Sequence, residues 1–479
     1  MTRKKVIDFL WVALLILLPF TSLPLASKIL QSKMVAAPSI LPLFFLILLF
    51  VIPIIFLGKL KEISFPLLLF LIYCVLSTTI AQFSTIPIDK DFNVFRNIAE
   101  AYITLLIGIA FFVLPVHYLE THKQISKTLR VIYFTFLPVF FWSLFQFVFE
   151  NFFGGYPLWM ENFQKFFSTS GLLYDGRVTG FAFEPSWLAN QLNMLYIPFF
   201  LGSLLSGYTI FKKKLFHISL ETIFLLASIF LLFLTKSRIG WITFIFCFLY
   251  VILAIYKDLM KKLRNRFMTF KKKMWDYVIP VLLVIILISI IFSGIYISSK
   301  FDPRMERVLK IETYKNRDFN SIANEFLFAE RILYWETGWK IFNDHPMIGV
   351  GQGNYGFYFE KYMPAFAYVL DEPRDILFRA NYQANNKNLW TRLLSETGII
   401  GFIIYVTWMI LLWNQGSELK KKQNQTSIFF GHVMKIALIA LVFEGFSIDS
   451  FALPYIWMIF GICSASFYIF QQDSETQII

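Results

Sequence analysis

Uncharged apolar runs of about 18 residues or more recur along almost the whole chain. Each is long enough to cross a bilayer core of about 30 Å as a helix. Twelve such spans are predicted, at 7–27, 39–57, 65–85, 100–119, 131–152, 187–207, 216–235, 239–256, 278–298, 399–414, 428–447 and 452–470. The expected fold is an all-α polytopic membrane protein, with residues 1–479 as a single integral-membrane domain. Composition agrees: 57% of residues are hydrophobic and 16% charged, against about 25% charged in ordinary soluble domains. The first span is too long, and lacks the small-residue cleavage pattern, to be a cleaved signal peptide.

The net charge of +13 does not call for nucleic acid, because its distribution is topological. With Arg3, Lys4 and Lys5 in the cytoplasm and the spans alternating, the inner loops receive Lys59 and Lys61, then Lys123, Lys127 and Arg130. They also receive Lys212 to Lys214, eight basic residues between Lys257 and Lys273, and Lys420 to Lys422. The short outer loops carry far fewer. This is the bias that orients helices during insertion, and it predicts cytoplasmic N- and C-termini. Two long segments then lie outside, 153–186 and 299–398, the second with 13 acidic and 13 basic residues. Cys74, Cys247 and Cys463 all fall within spans, have no metal-ligand spacing and read as buried thiols.

The long outer segment is more than a loop, since about 100 residues without structure would be unusual. Ile322, Phe326, Ala329, Leu333, Gly338 and Ile341 recur at helical spacing and predict a helix over 321–343. It ends at His345-Pro346, and Gly349, Gly351 and Gly353 follow as a turn. A second helix is expected within 354–364, and Asp371 to Arg374 as an irregular stretch. The segment is expected to cover the outer end of the helix bundle.

Four clusters on that side carry chemistry. They are Gly176 to Ser186, with Arg177 and Glu184; Thr235-Lys236-Ser237-Arg238; Arg331 with His345 to Gly351; and Lys387-Asn388 followed by Glu396, Gly398 and Gly401. A guanidinium stays charged and binds phosphate oxygens through two parallel hydrogen bonds, so Arg177, Arg238 and Arg331 suit a diphosphate at the membrane surface. Glu184, Glu396 and His345 have the chemistry of a proton acceptor. Plainer roles compete: an interfacial anchor for each arginine and for Lys236, a helix cap for His345 and Glu184, and a turn for the glycines.

Taken together and in order, the clusters resemble the O-antigen ligase and polymerase superfamily of bacterial surface polysaccharide assembly. Arg177, Gly180 and Pro185 match its R-x-x-G-x-x-x-x-P segment, Ser237-Arg238 its Ser-Arg pair, and His345 to Gly351 its H-P-x-x-G-x-G run behind Arg331. Asn388, Gly398 and Gly401 hold the spacing of the ligase motif H-[NSQ]-x9-G-x-x-[GTY], but Lys387 stands where ligases carry their proposed catalytic histidine. The resemblance covers about residues 170–415.

It implies a multi-pass enzyme of the bacterial cytoplasmic membrane that transfers glycan from a polyprenyl-diphosphate-linked donor. Lysine at the histidine position favours a surface polysaccharide polymerase, with a lipid-linked repeat unit as acceptor, over a ligase acting on lipid A core. On this reading Arg177, Arg238, Arg331 and Lys387 bind the diphosphate, and Glu184, then Glu396, is the base. His345 and Asn388 contact substrate, and neither a metal nor another cofactor is expected. Expected partners besides membrane lipids are a chain-length regulator and a flippase. A transporter or flippase is the reading from another class; inverted repeats and helices broken at mid-membrane, its expected signs, are not found in the sequence.

Overall fold

The computed structural model describes residues 3–30, 36–211, 214–215, 217–266, 329–379 and 382–476. In chain order the helices are α1 (Arg3–Leu17), α2 (Pro24–Leu30), α3 (Ile40–Phe56), α4 (Phe65–Ala81), α5 (Val94–Tyr118), α6 (His122–Phe153), α7 (Leu158–Phe167) and α8 (Pro185–Ser206). Then come α9 (Leu220–Leu234), α10 (Arg238–Arg266), α11 (Ala329–Asp344), α12 (Tyr355–Tyr362), α13 (Leu389–Lys421), α14 (Gln425–Glu444) and α15 (Pro454–Thr476). Among the described residues the only strand pair is a short ribbon between α8 and α9, in which Lys214 faces Ser219.

The architecture is that of an all-α polytopic membrane protein. Among the described residues, eight helices are long and apolar enough to cross a membrane, and Ile40–Phe56 and Leu220–Leu234 are shorter apolar helices. The expected span 278–298 lies outside the described residues. The first expected span is not one helix. It is cut after Leu17, and α2 begins at Pro24; Pro19 and Pro24 each lack an amide donor and clash with the preceding turn. At the other extreme, α13 starts ten residues before the apolar run that predicted it, since Asn388 caps it by accepting from the Trp390 and Thr391 amides at 2.8 and 3.2 Å.

The bundle closes through small residues and aromatic rings. α5 and α15 approach so closely that a Cβ on Gly108 would sit 2.5 Å from Trp457 Nε1, and one on Gly461 2.5 Å from the Phe112 carbonyl. Such close approach is how helices associate where lipid removes the hydrophobic drive between them. Trp408 is buried among Phe112, Trp457 and Phe460, with ring centroids 5.4 to 5.6 Å away. Phe44, Leu69, Ile72, Leu76, Ile403 and Ile410 instead stand exposed on the bundle surface, as lipid-facing side chains must.

The two ends of the bundle differ. At one, Arg3 donates to the Leu49 carbonyl at 2.6 Å, Lys61 to that of Val116 at 2.6 Å, and His122 pairs with Asp473 at 2.8 Å. Lys422 donates to the Phe470 carbonyl there. At the other end sits a cap with its own apolar core, including Leu333, Tyr334, Ile341, Tyr355, Phe359 and Leu370. The expected cap helices are present as α11 and α12; the part of the first before Ala329 lies outside the described residues. Asp371 to Arg374 is a helical turn rather than an irregular stretch.

Candidate functional site

A cavity of about 270 Å³ opens at the cap end. Its walls come from the loop ahead of α8 (Tyr174, Arg177, Glu184, Pro185, Ser186) and the α9–α10 junction (Lys236, Ser237, Arg238, Ile239). The cap adds Glu330, Arg331 and Trp335, and Lys387, Phe446 and Ser447 complete it. Segments up to some 270 positions apart in sequence meet here.

Local structure explains each placement. The loop ahead of α8 is pinned by Gln146, whose side-chain oxygen accepts from the Thr179 and Gly180 amides at 2.9 and 3.0 Å. Val178 donates to the Leu234 carbonyl at 3.2 Å, and Arg177 Nε to the Thr235 carbonyl at 2.8 Å. The loop is therefore tied to the α9–α10 junction. Lys236 makes that junction tight by taking a left-handed φ of 48°, uncommon for a residue with a Cβ. Ser237 then accepts from the Gly240 amide at 3.3 Å, and Arg238 is the first residue of α10.

A cation at a helix N-terminus opposes the helix dipole. The N-termini of α8 and α10 both border the cavity, and a helix N-terminus is itself an anion site. On the cap side, Arg331 Nη1 donates to the Ser447 carbonyl at 3.3 Å. Burial pushes its pKa below the usual range, while Glu184, Glu372, Glu444 and Glu330 act in the opposite sense. The lining thus sets five cations against two carboxylates, a concave surface matched to a multiply charged anion.

Lys387 also takes a left-handed φ, of 51°. Its amide donates to Asp449 Oδ2 at 3.1 Å, its ammonium pairs with Glu372, and it lies 4.7 Å from the Tyr334 ring centre. Glu184 occupies the N-cap position of α8, but its side chain makes no cap hydrogen bond; it accepts from the Ser186 hydroxyl instead. The cavity accordingly gathers Arg177, Arg238, Arg331, Lys387 and Glu184.

Three residues singled out in the sequence stand elsewhere. Glu396 is 3% exposed and inside the bundle, paired with Arg392 at 3.0 Å; it does not line the cavity. Asn388, 1% exposed, spends its side-chain oxygen on the α13 cap. His345 closes α11, with its amide on the Ile341 carbonyl at 3.0 Å and its ring against Tyr358.

The glycine run behind His345 docks on α13. Gly398 breaks α13 with φ 63° and ψ −170°, and the carbonyls released accept from the 346–351 loop. Val350 donates to Ser395 at 2.8 Å and Gly351 to Glu396 at 2.9 Å, while Ile399 donates back to Pro346 at 2.8 Å. The run after His345 is thus a backbone joint holding the cap on the bundle.

Residues 223–406 match the family model described as O-antigen ligase. Over that segment the chain is similar to the O-antigen ligase-like superfamily. Members of this superfamily are glycosyltransferase-like enzymes. The matched segment contains Arg238, Glu330, Arg331, Lys387 and the Gly398 joint; Arg177 and Glu184 reach the cavity from outside it. A comparison with curated proteins gives no match. Sequence reasoning missed Tyr174, Trp335 and Glu330 as lining residues. The one signal for Glu330 was its position beside Arg331. Among the described residues no three of His, Cys, Asp and Glu gather as a metal site.

Proposed function

We propose that this O-antigen ligase-like protein is a surface polysaccharide polymerase. It transfers a growing glycan from polyprenyl diphosphate to the non-reducing-end hydroxyl of a lipid-linked repeat unit. The observation that carries the reading is the convergence of Arg177, Arg238 and Arg331, with Lys236 and Lys387, on one cavity bordered by two helix N-termini. These cations would hold the diphosphate and stabilise the charge that grows on it as the glycosidic bond breaks, the kind of preorganised electrostatics that dominates many enzymatic rate enhancements. Tyr174, Trp335 and Phe446 offer ring surfaces to the sugars. Glu184 and Glu330 are the carboxylates within reach of an acceptor hydroxyl. Lys387 at the ligase histidine position favours polymerisation over ligation. The protein itself, purified in detergent and given lipid-linked repeat units, should produce a ladder of repeat lengths. Transfer only when lipid A core is supplied would identify a ligase instead, and no transfer to either acceptor would end the reading.

In this proposal the protein sits in a bacterial cytoplasmic membrane with its lysine-rich end inside and the cap outside. Asn343, exposed at the end of α11, gives the test, because all three native cysteines are buried. Asn343→Cys should react with an impermeant maleimide in intact spheroplasts. Labelling only after membrane rupture would put the cavity on the cytoplasmic side and exclude an outer-face polymerase.

A further inference from the structure

The two carboxylates of the cavity stand in opposite surroundings. Glu184 is already engaged by its own loop and helix. It accepts the Ser186 hydroxyl, sits at the positive end of α8, and exerts the largest favourable charge effect on Arg331. Glu330 is placed the other way. It is half-buried on the cavity wall, and Glu372, from the turn Asp371–Arg374, acts on it as a like charge. Burial and a nearby like charge both disfavour the charged form of Glu330 and raise its pKa. Glu372 in turn holds the Lys387 ammonium. Glu330 and Lys387 thus both line the cavity, and Glu372 acts on both, on Glu330 as a like charge and on Lys387 as its ion-pair partner, at the position where the ligase motif has its histidine.

We propose that Glu330 is the catalytic base for glycosyl transfer in this cavity, and that Glu372 and Lys387 are positioning residues that act through it. The proposal rests on the polymerase reading above. In the step, the acceptor hydroxyl oxygen bonds to the anomeric carbon of the donor. The bond from that carbon to the diphosphate oxygen breaks, and its electron pair leaves on the diphosphate held by Arg177, Arg238 and Arg331. The hydroxyl proton passes to the Glu330 carboxylate and is later released to water.

The surroundings fix the pH behaviour. Burial first, and Glu372 second, raise the Glu330 pKa, while Lys387 and Arg331 lower it. Tyr334 on the same helix and Tyr382 also feel its charge, and Glu184, Arg177, Lys236 and Arg238 face it across the cavity. A base works ionised, so turnover should rise with pH through this pKa. Lys387→Met removes a cation that favours the anion, and the rising limb should move to higher pH. Glu372→Gln removes the like charge, and the limb should move to lower pH.

The test uses the full-length protein in detergent, with lipid-linked repeat units for turnover and sugar-free polyprenyl diphosphate for binding by thermal shift. Glu330→Gln should lose about 100-fold or more in turnover while binding polyprenyl diphosphate within about threefold of wild type. Turnover near wild type in Glu330→Gln would overturn the assignment, and so would loss of turnover and binding together, which marks a structural residue. Limbs that stay fixed, or move the same way in Lys387→Met and Glu372→Gln, would also overturn it. A wild-type ladder with an active Glu330→Gln defeats the base alone; a wild type that makes no polymer defeats the polymerase reading and the base with it.

Discussion

Arg238→Lys and Arg331→Lys should each lower polymer output by roughly 10- to 100-fold while the protein stays at near-normal level in the membrane. The size follows from geometry. A guanidinium presents two parallel donors to a pair of phosphate oxygens, and an ammonium presents a point charge that cannot reproduce the fork. Losing one hydrogen bond to a charged group is worth about 1.5–3 kcal/mol, and each 1.36 kcal/mol is tenfold in rate. Both arginines are held for the task, Arg238 as the first residue of α10 and Arg331 by the Ser447 carbonyl at 3.3 Å. Polymer ladders on gels beside immunoblots of membranes would check it. Wild-type ladders from both variants would reduce the two residues to interfacial anchors and remove the observation on which the polymerase reading stands.

Gly398→Ala should cost about 3 kcal/mol or more and uncouple the cap. Its φ of 63° with ψ of −170° lies in a region open essentially to glycine alone, where other residues are strained by about 1–3 kcal/mol. A Cβ there would also lie 2.3 Å from the Met347 carbonyl oxygen, so the 346–351 loop has to retreat. Its hydrogen bonds to Ser395 and Glu396 would be lost with it. Gly58 is the control: its φ is also positive, at 64°, but a Cβ there meets nothing within 4 Å, so Gly58→Ala should cost only about 1–2 kcal/mol. Thermal unfolding in detergent would give the ranking, and limited proteolysis between His345 and Asn354 would report the cap. Equal melting points for the two variants would mean that the joint does not hold the cap.

Several features were open to reading along the chain. Membrane-crossing helices follow from the length of apolar runs, because a helix satisfies its own backbone and needs only lipid-compatible side chains. The α1 break shows the limit of that rule. Between residues 7 and 27 hydropathy stays high, yet Pro19 and Pro24 stop the helix, and breaks depend on backbone donors rather than on hydropathy. Arg177, Arg238 and Arg331 were also legible, since an arginine beside a span is costly enough to need a reason.

The parts that were not legible share one cause. His345, Asn388 and Glu396 read as site residues from their types, but the structure places them outside the cavity, Asn388 on the α13 cap and the loop behind His345 on the break at Gly398. That break exposes backbone carbonyls and draws the glycine run onto α13, while Glu396 pairs with Arg392 inside the bundle. Glu330 was passed over because the periodicity of α11 identifies its apolar stripe without saying which of its charges will face a cavity. That depends on how the cap docks on α13 and α14.

Sequence alone determined the all-α membrane fold, the cap helices and the identity of the arginines, because each is written in local runs and short motifs. Tertiary structure alone decided which carboxylate stands at the cavity, which residues form the joint and that Lys387 meets Glu372. Those contacts join segments far apart in the chain, and no local pattern encodes the packing that brings them together.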